Sequence, residues 1–256
     1  MTPRPLGGFH HITLICRDPA TNRDFWTGLG FRMVKKTVNF DDPGSYHLYY
    51  GDRTGSPGSI VTYFAWPGAP LGRPGVGSIT SFELSAPEVG ATADPDGLPL
   101  VVRPGQPRLE ALTMTVRDVA ATSRFLGERL GFERDADGTL RLGDAVVRLV
   151  EDQEGAGVRM GPGCVHHVAW RVADDEQQAS WRQRLLAAGV DVTPVRDRQY
   201  FHSIYFHEPG GILLEIATEP PGFALDEAPG HLGEQLRLPP WLESLRPRIE
   251  AALPPV

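Results

Sequence analysis

One stretch of this chain is written twice. "TLICRDPATNRDFWTGLGF" (Thr13–Phe31) aligns with "TMTVRDVAATSRFLGERLGF" (Thr113–Phe132): a β-strand, an Arg-Asp pair, then an amphipathic helix ending at Leu-Gly-Phe. The Asp stands where it can cap the helix, and the Gly where the helix must stop. Hairpin-like strands follow in each copy, "YHLYYGD" and "SIVTYFAW" in the first, "TLRLGD" and "AVVRLVED" in the second. A further copy begins at "HHVAWRVADD" and runs through a helix near Gln177–Ala188, ending at Gly189. It closes on "SIYFHEPGGILLEIAT", a hairpin about a Pro-Gly-Gly turn.

The repeating unit is therefore βαβββ. One copy leaves the apolar face of a curved sheet open, so copies must pair. The expected fold is α+β, built of paired βαβββ modules with curved mixed sheets. Full modules are expected over residues 8–76, 108–152 and 163–218. Residues 77–107 hold "GSITSFELSAPEV" and then Gly/Pro-rich chain, with room for one strand and no helical periodicity: a shrunken second module. Residues 219–256 read as a wrapping tail with a short helix after Pro239–Pro240. A shrunken partner should leave apolar sheet of the 108–152 module exposed. The tail or another subunit is expected to cover it, which makes a homo-oligomer the expected assembly.

Two of the copies open on a pair of histidines, His10–His11 and His166–His167. Strand alternation allows one member of each pair onto the concave face. His11 shares its face with Thr13 and Ile15, and His167 with Ala169 and Arg171; Ile12, Leu14, Cys16, Val168, Trp170 and Val172 face the other way, suited to packing under a helix. A lone histidine at a strand start is ordinary, but two pairs at equivalent repeat positions are not. The remaining full copy has Glu110 and Ala111 there, so folding alone does not demand histidine. Glu215 lies inside the apolar strand "GILLEIAT", where an unpaired carboxylate costs several kcal/mol unless a metal takes it up. Two histidines and one carboxylate form a facial triad with open positions. In the first copy Tyr63 is read as the residue opposite Glu215, with Thr62 beside it, and neither is a good fourth ligand.

The rest of the composition is unremarkable for a globular protein of 256 residues. A formal charge of −7 with no basic run argues against nucleic acid as a partner. No stretch is apolar enough for a membrane span or a signal sequence, so a cytoplasmic protein is expected. Cys16 and Cys164 lack a CxxC spacing and are expected to be buried, reduced thiols.

The segments "HHIT", "YHLYYGD", "GSPGSIVTYFAWP", "VHHVAWRV", "RQYFHSIYFHEPGGILLEIAT" and "PPGF" resemble the vicinal oxygen chelate superfamily of glyoxalase I, bleomycin-resistance proteins and extradiol dioxygenases. They are most similar to its ring-cleaving dioxygenases acting on hydroquinones. The resemblance implies a metal held by His11, His167 and Glu215, with Fe(II) or Mn(II) as cofactor and a small aromatic substrate and O₂ as partners. It also places Thr13, His10, His166, Arg198 and Tyr205 around the substrate. Tyr205 would hydrogen-bond a substrate phenolate, Arg198 would bind the far ring substituent, and His10 or His166 would serve as acid–base. The alternatives are a glyoxalase-like isomerase or thiol transferase, which wants a fourth ligand, and a bleomycin-resistance-type binding protein, which does not need the triad. His47 reads as structural, His202 as facing away from Tyr205, and His207 and His231 as turn and tail residues.

Overall fold

A computed structural model describes residues 3–256. The first module is β1 (Phe9–Cys16), α1 (Pro19–Gly28), β2 (Arg32–Asn39), β3 (Asp42–Gly51) and β4 (Ile60–Ala65). Two strands follow, β5 (Ser78–Ala86) and β6 (Leu100–Pro104). Next come β7 (Arg108–Val116), α2 (Val119–Phe125), β8 (Glu133–Arg134), β9 (Leu140–Leu142) and β10 (Ala145–Glu151). The last unit is β11 (Val165–Val172), α3 (Asp175–Ala187), β12 (Arg196–Asp197), β13 (Phe201–His207) and β14 (Leu213–Pro221), before a tail that ends in α4 (Arg246–Ala252).

Capping side chains set the helix starts. Asp18, Asp118 and Asp174 each accept from a backbone N–H three residues on, at 2.7, 2.8 and 2.8 Å. Gly30 and Gly131 take the left-handed conformation that stops the first two helices. The second copy is one residue longer between its Asp and its Gly. A π-helical turn at Leu126–Leu130 absorbs that residue without disturbing Leu-Gly-Phe.

Eight strands form one sheet in the order β12-β13-β14-β11-β1-β4-β3-β2, and six form another in the order β6-β5-β7-β10-β9-β8. In each full module the first strand runs parallel to the last, and modules join through their first strands, β1 antiparallel to β11 and β5 antiparallel to β7. β6 lies parallel to β5 and so takes the place of a module's last strand. The stretch expected to hold one strand holds two; what it lacks is the helix and the middle hairpin. Its Gly/Pro-rich sequence hid β6, a short edge strand with little apolar patterning.

The sheets pack through their apolar faces. Ile12, Leu14 and Cys16 of β1 and Val168, Trp170 and Val172 of β11 share one buried cluster with Trp26, Phe82, Leu84, Leu112 and Met114. Trp26 of α1 stacks on Phe82 of β5 at 6.4 Å, so truncating it to Ala would cost about 3–5 kcal/mol. This corrects the expectation of an uncovered apolar sheet. The apolar face of the six-stranded sheet is buried against the other sheet, and its outer face carries Ser81, Glu83, Thr113, Arg103 and Arg148. The tail lies elsewhere: Leu238, Leu242 and Ile249 pack on Val38 of β2, and Arg237 donates to the Lys36 carbonyl. The homo-oligomer expectation thereby loses its premise. Cys16 and Cys164 are both buried and free. No helix is long and apolar enough to cross a membrane among the described residues.

Candidate metal centre

His11 on β1, His167 on β11 and Glu215 on β14 converge on the concave face of the eight-stranded sheet. Their ligand atoms lie within 4.8 Å of one another, and all three residues are buried. Glu215 Oε2 is 2.9 Å from His167 Nε2 and 3.4 Å from His11 Nε2. The other carboxylate oxygen, Oε1, accepts from the Ser203 hydroxyl.

Each histidine pair sits on a β-bulge. The pairing of β1 with β11 slips at His10 and again at His166, so the first histidine of each pair lies beside the second. The expected alternation of faces is lost there. His10 Nδ1 is 2.8 Å from His11 Nδ1, and His166 Nδ1 is 2.7 Å from His167 Nδ1. Burial, followed by the neighbouring histidine, pushes both His10 and His166 down to about 3, so both are neutral.

Those contacts fix tautomers. His10 Nε2 lies 3.1 Å from the Thr218 carbonyl, which can only accept, so Nε2 carries the proton of His10. Its Nδ1 is then bare and accepts from His11 Nδ1–H, which leaves His11 Nε2 as a lone pair aimed at Glu215. Glu215 Oε2 is buried without a hydrogen-bond partner. A bare nitrogen facing an unpartnered buried carboxylate oxygen repels it unless a cation lies between them. The donor set therefore fits a divalent metal with N/O preference.

The cavity above these atoms holds about 280 Å³. His166, Arg198 and Tyr205 line it with His11 and His167, whereas His10 and Thr13 lie behind its wall. Thr13 is fully buried and its hydroxyl has no partner. Tyr205 packs against His167 at 5.7 Å, and its oxygen accepts from Arg198 Nε at 3.1 Å. Burial, with Glu215 second, raises the Tyr205 phenol, so it keeps its proton. His202 lies outside the cavity against Asp175 at 2.6 Å, and His231 is exposed beside Glu234.

Two readings of the sequence change. Thr62, not Tyr63, is the counterpart of Glu215. Thr62 lies opposite Thr13, two residues past His11, as Glu215 lies opposite Ala169, two residues past His167. A one-residue slip in the alignment moved the side chain to the wrong face; Tyr63 points into the core and donates to Asp94 at 3.1 Å. His47 is no remote structural residue. It lines the cavity, bonds Thr62 through Nε2 and Tyr49 through Nδ1, and is held neutral by burial. Phe201, against His10 at 5.1 Å and His11 at 5.2 Å, and Asp41 at the cavity mouth were also missed. The registers explain the place of His47: Tyr49 is the mate of Tyr205, and hence His47 the mate of Ser203, an equivalence that strand pairing reveals and the sequence does not.

The chain is similar to known proteins along most of its length. MhqO of Bacillus subtilis (strain 168), named provisionally as a ring-cleaving dioxygenase, is 40% identical, with 97% of this chain and 96% of that protein aligned. A chlorohydroquinone/hydroquinone 1,2-dioxygenase of Sphingobium indicum is 28% identical over 96% of each chain. A crystal structure from Bacillus subtilis (strain 168), named provisionally as a dioxygenase, matches with a TM-score of 0.89 and 37% identity, covering 98% of both chains. Glyoxalase I of Zea mays shares the fold at a TM-score of 0.60 and 14% identity, over 83% of this chain and 92% of that one. The family model matches residues 8–94 and 108–216, and the chain belongs to the Glyoxalase/Bleomycin resistance protein/Dioxygenase superfamily.

Proposed function

We propose that this protein is a ring-cleaving dioxygenase of the extradiol type. It acts on a hydroquinone- or catechol-type aromatic and uses Fe(II), or Mn(II) in the same N/O donor set, at His11, His167 and Glu215. The observation that carries the reading is the three-donor cluster at the floor of the cavity, with Thr62 standing where a fourth ligand would be. Thr62 is already bonded to His47 and is a poor ligand for a divalent cation, so the coordination sphere keeps open positions toward the cavity.

When bound, such a metal supplies Lewis acidity and one-electron redox chemistry to an aromatic phenolate and O₂ held side by side. The chain's own residues do the rest. Arg198 donates to the Tyr205 oxygen, which leaves the Tyr205 proton free to bond a substrate oxygen in the cavity. With a metal on His167 Nε2, the His167 Nδ1–H would donate to His166 Nδ1, and His166 would carry its own proton on Nε2, a donor beside the substrate. Phe64 and Phe201 give the ring apolar walls and keep water from it.

Protein purified anaerobically and loaded with Fe(II) should consume O₂ with 1,4-dihydroxybenzene or catechol. Loaded with Ni(II) or Zn(II), it should not isomerise a methylglyoxal–glutathione hemithioacetal. Hemithioacetal turnover without O₂ uptake would replace the dioxygenase reading with the isomerase one. Ligand binding with neither activity would favour a sequestering protein.

A further inference from the structure

The cavity mouth is closed by an ion pair that joins the two ends of the curled sheet. Asp41, in the turn between β2 and β3, accepts from Arg198 Nη1 at 2.8 Å across the mouth, although the two residues are 157 positions apart in sequence. Both line the cavity. The Arg198 side chain is 20% exposed and that of Asp41 69%, so the cation belongs to the cavity and the anion to its rim. Phe40, the neighbour of Asp41, also lines the cavity and meets Trp241 of the tail edge-on at 5.7 Å, which braces the turn from outside.

Arg198 is the one arginine or lysine lining this cavity among the described residues. Its guanidinium is engaged on two sides, with Nε on the Tyr205 oxygen and Nη1 on Asp41, so its charge is already paired. A ring held at His167 reaches Arg198 across one tyrosine ring, since Tyr205 spans the distance between them.

We propose that Asp41 is a specificity-determining residue that selects uncharged rings. It pairs with the one arginine or lysine of the cavity lining that an anionic ring substituent could use, and it sets a like charge in the path of that substituent. A carboxylated hydroquinone must compete with Asp41 for Arg198 and lie beside its carboxylate; an uncharged hydroquinone does neither. This inference rests on the dioxygenase reading for its choice of probes.

The test compares 1,4-dihydroxybenzene with 2,5-dihydroxybenzoate on wild type, Asp41→Asn and Asp42→Asn. Anaerobic binding to the metal-loaded protein is read by intrinsic fluorescence, and kcat/KM by O₂ uptake. Any chelation of the metal by the benzoate is common to all three proteins and cancels in the comparison. Asp41→Asn should move the benzoate-to-hydroquinone ratio of affinities upward by about tenfold, because like charges across a recognition site are what the native pair imposes. Asp42→Asn removes the same formal charge next door but not at Arg198, and should leave the ratio within about twofold. An unchanged ratio in Asp41→Asn, or an equal change in Asp42→Asn, overturns the proposal. If hydroquinone is turned over while the ratio stays fixed, only this inference falls. If the binding ratio moves but O₂ is never consumed, only the dioxygenase reading falls. Failure of every protein to bind either ring overturns both.

Discussion

Each of the two sheets of this molecule is joined at its centre by a bulged pair of strands, and only one of the two joints carries metal donors. β1 and β11 slip at His10 and His166; β5 and β7 slip at Thr80 and Glu110. Counting along the registers, Ser81 stands for His11, Ala111 for His167, Val101 for Thr62 and Arg148 for Glu215. The bulges persist where no histidine needs them, so they belong to the fold and were available to a metal site rather than made by one. The carboxylate position of the second joint holds an arginine, which reverses the charge a cation would need.

The largest expected effect breaks the first joint and spares the second. Glu215→Ala or His167→Ala should remove stoichiometric metal, read by elemental analysis, and lower ring cleavage by roughly a thousandfold or more. Ser81→Ala and Arg148→Ala, at the equivalent places, should leave metal content and turnover within about twofold, as solvent-side changes do. Metal retained by both first-joint variants would show that the donors were misassigned.

Within the eight-stranded sheet the comparison sharpens to Tyr205 and Tyr49, which occupy equivalent positions on β13 and β3. Tyr205 has its proton free for the cavity, while the Tyr49 hydroxyl is spent on His47 at 2.9 Å. Tyr205→Phe should slow ring cleavage roughly tenfold to a thousandfold at unchanged metal content, the range for losing an acid–base or oxyanion contact. Tyr49→Phe should cost less than roughly tenfold, because what it loses is the posture of His47. Steady-state O₂ uptake with paired metal analysis checks both, and equal losses would dissolve the distinction between the two halves.

The repeat made the fold legible, because strand, Asp cap, helix and Leu-Gly-Phe stop recur with residue-level fidelity. The donors were legible for a related reason: His11, His167 and Glu215 are costly residues at equivalent places in apolar strands. What stayed hidden depends on pairing rather than on type. A slip of one residue made Tyr63 look like the mate of Glu215. A bulge cannot be seen in "HHIT", so strand alternation alone turned His10 and His166 off the concave face, and only the family resemblance placed them around the substrate. The Asp41–Arg198 bridge joins residues brought together only by the curl of the whole sheet.

Asp94 gives a smaller effect, on the back of the first joint. It is buried, accepts from Leu98 N–H at 2.8 Å and from the Tyr63 hydroxyl, and burial pushes its carboxyl up from 3.8 to about 6. A pKa raised on folding means the folded state holds the proton more tightly. The stability this gives is full below about pH 4 and is lost as pH rises through about 6. Asp94→Asn should therefore stabilise the protein at pH 8 by about 1–2 kcal/mol, the two-unit shift discounted for the acceptor Tyr63 loses. The gain should shrink to nothing toward pH 4. Urea unfolding across that range reads it, and a gain that grew on acidification would reverse the assignment.

The smallest effect concerns the face of the second joint. Glu83 stands where the first joint has Thr13, and it reaches Arg103 at 2.9 Å and Arg148 at 2.6 Å. Its partners are 61% and 44% exposed, so water and salt screen both contacts. Glu83→Gln keeps the shape and some hydrogen bonding but leaves two like charges flanking the central strands. The loss should be at most about 1 kcal/mol, and it should fall further in about 0.5 M salt. A loss above about 2 kcal/mol, unchanged by salt, would mean that this ion pair holds the second sheet in shape. The bulged joint would then be stable there only because the charges replaced what a metal does in the first, and the claim that the bulges come with the fold would fail.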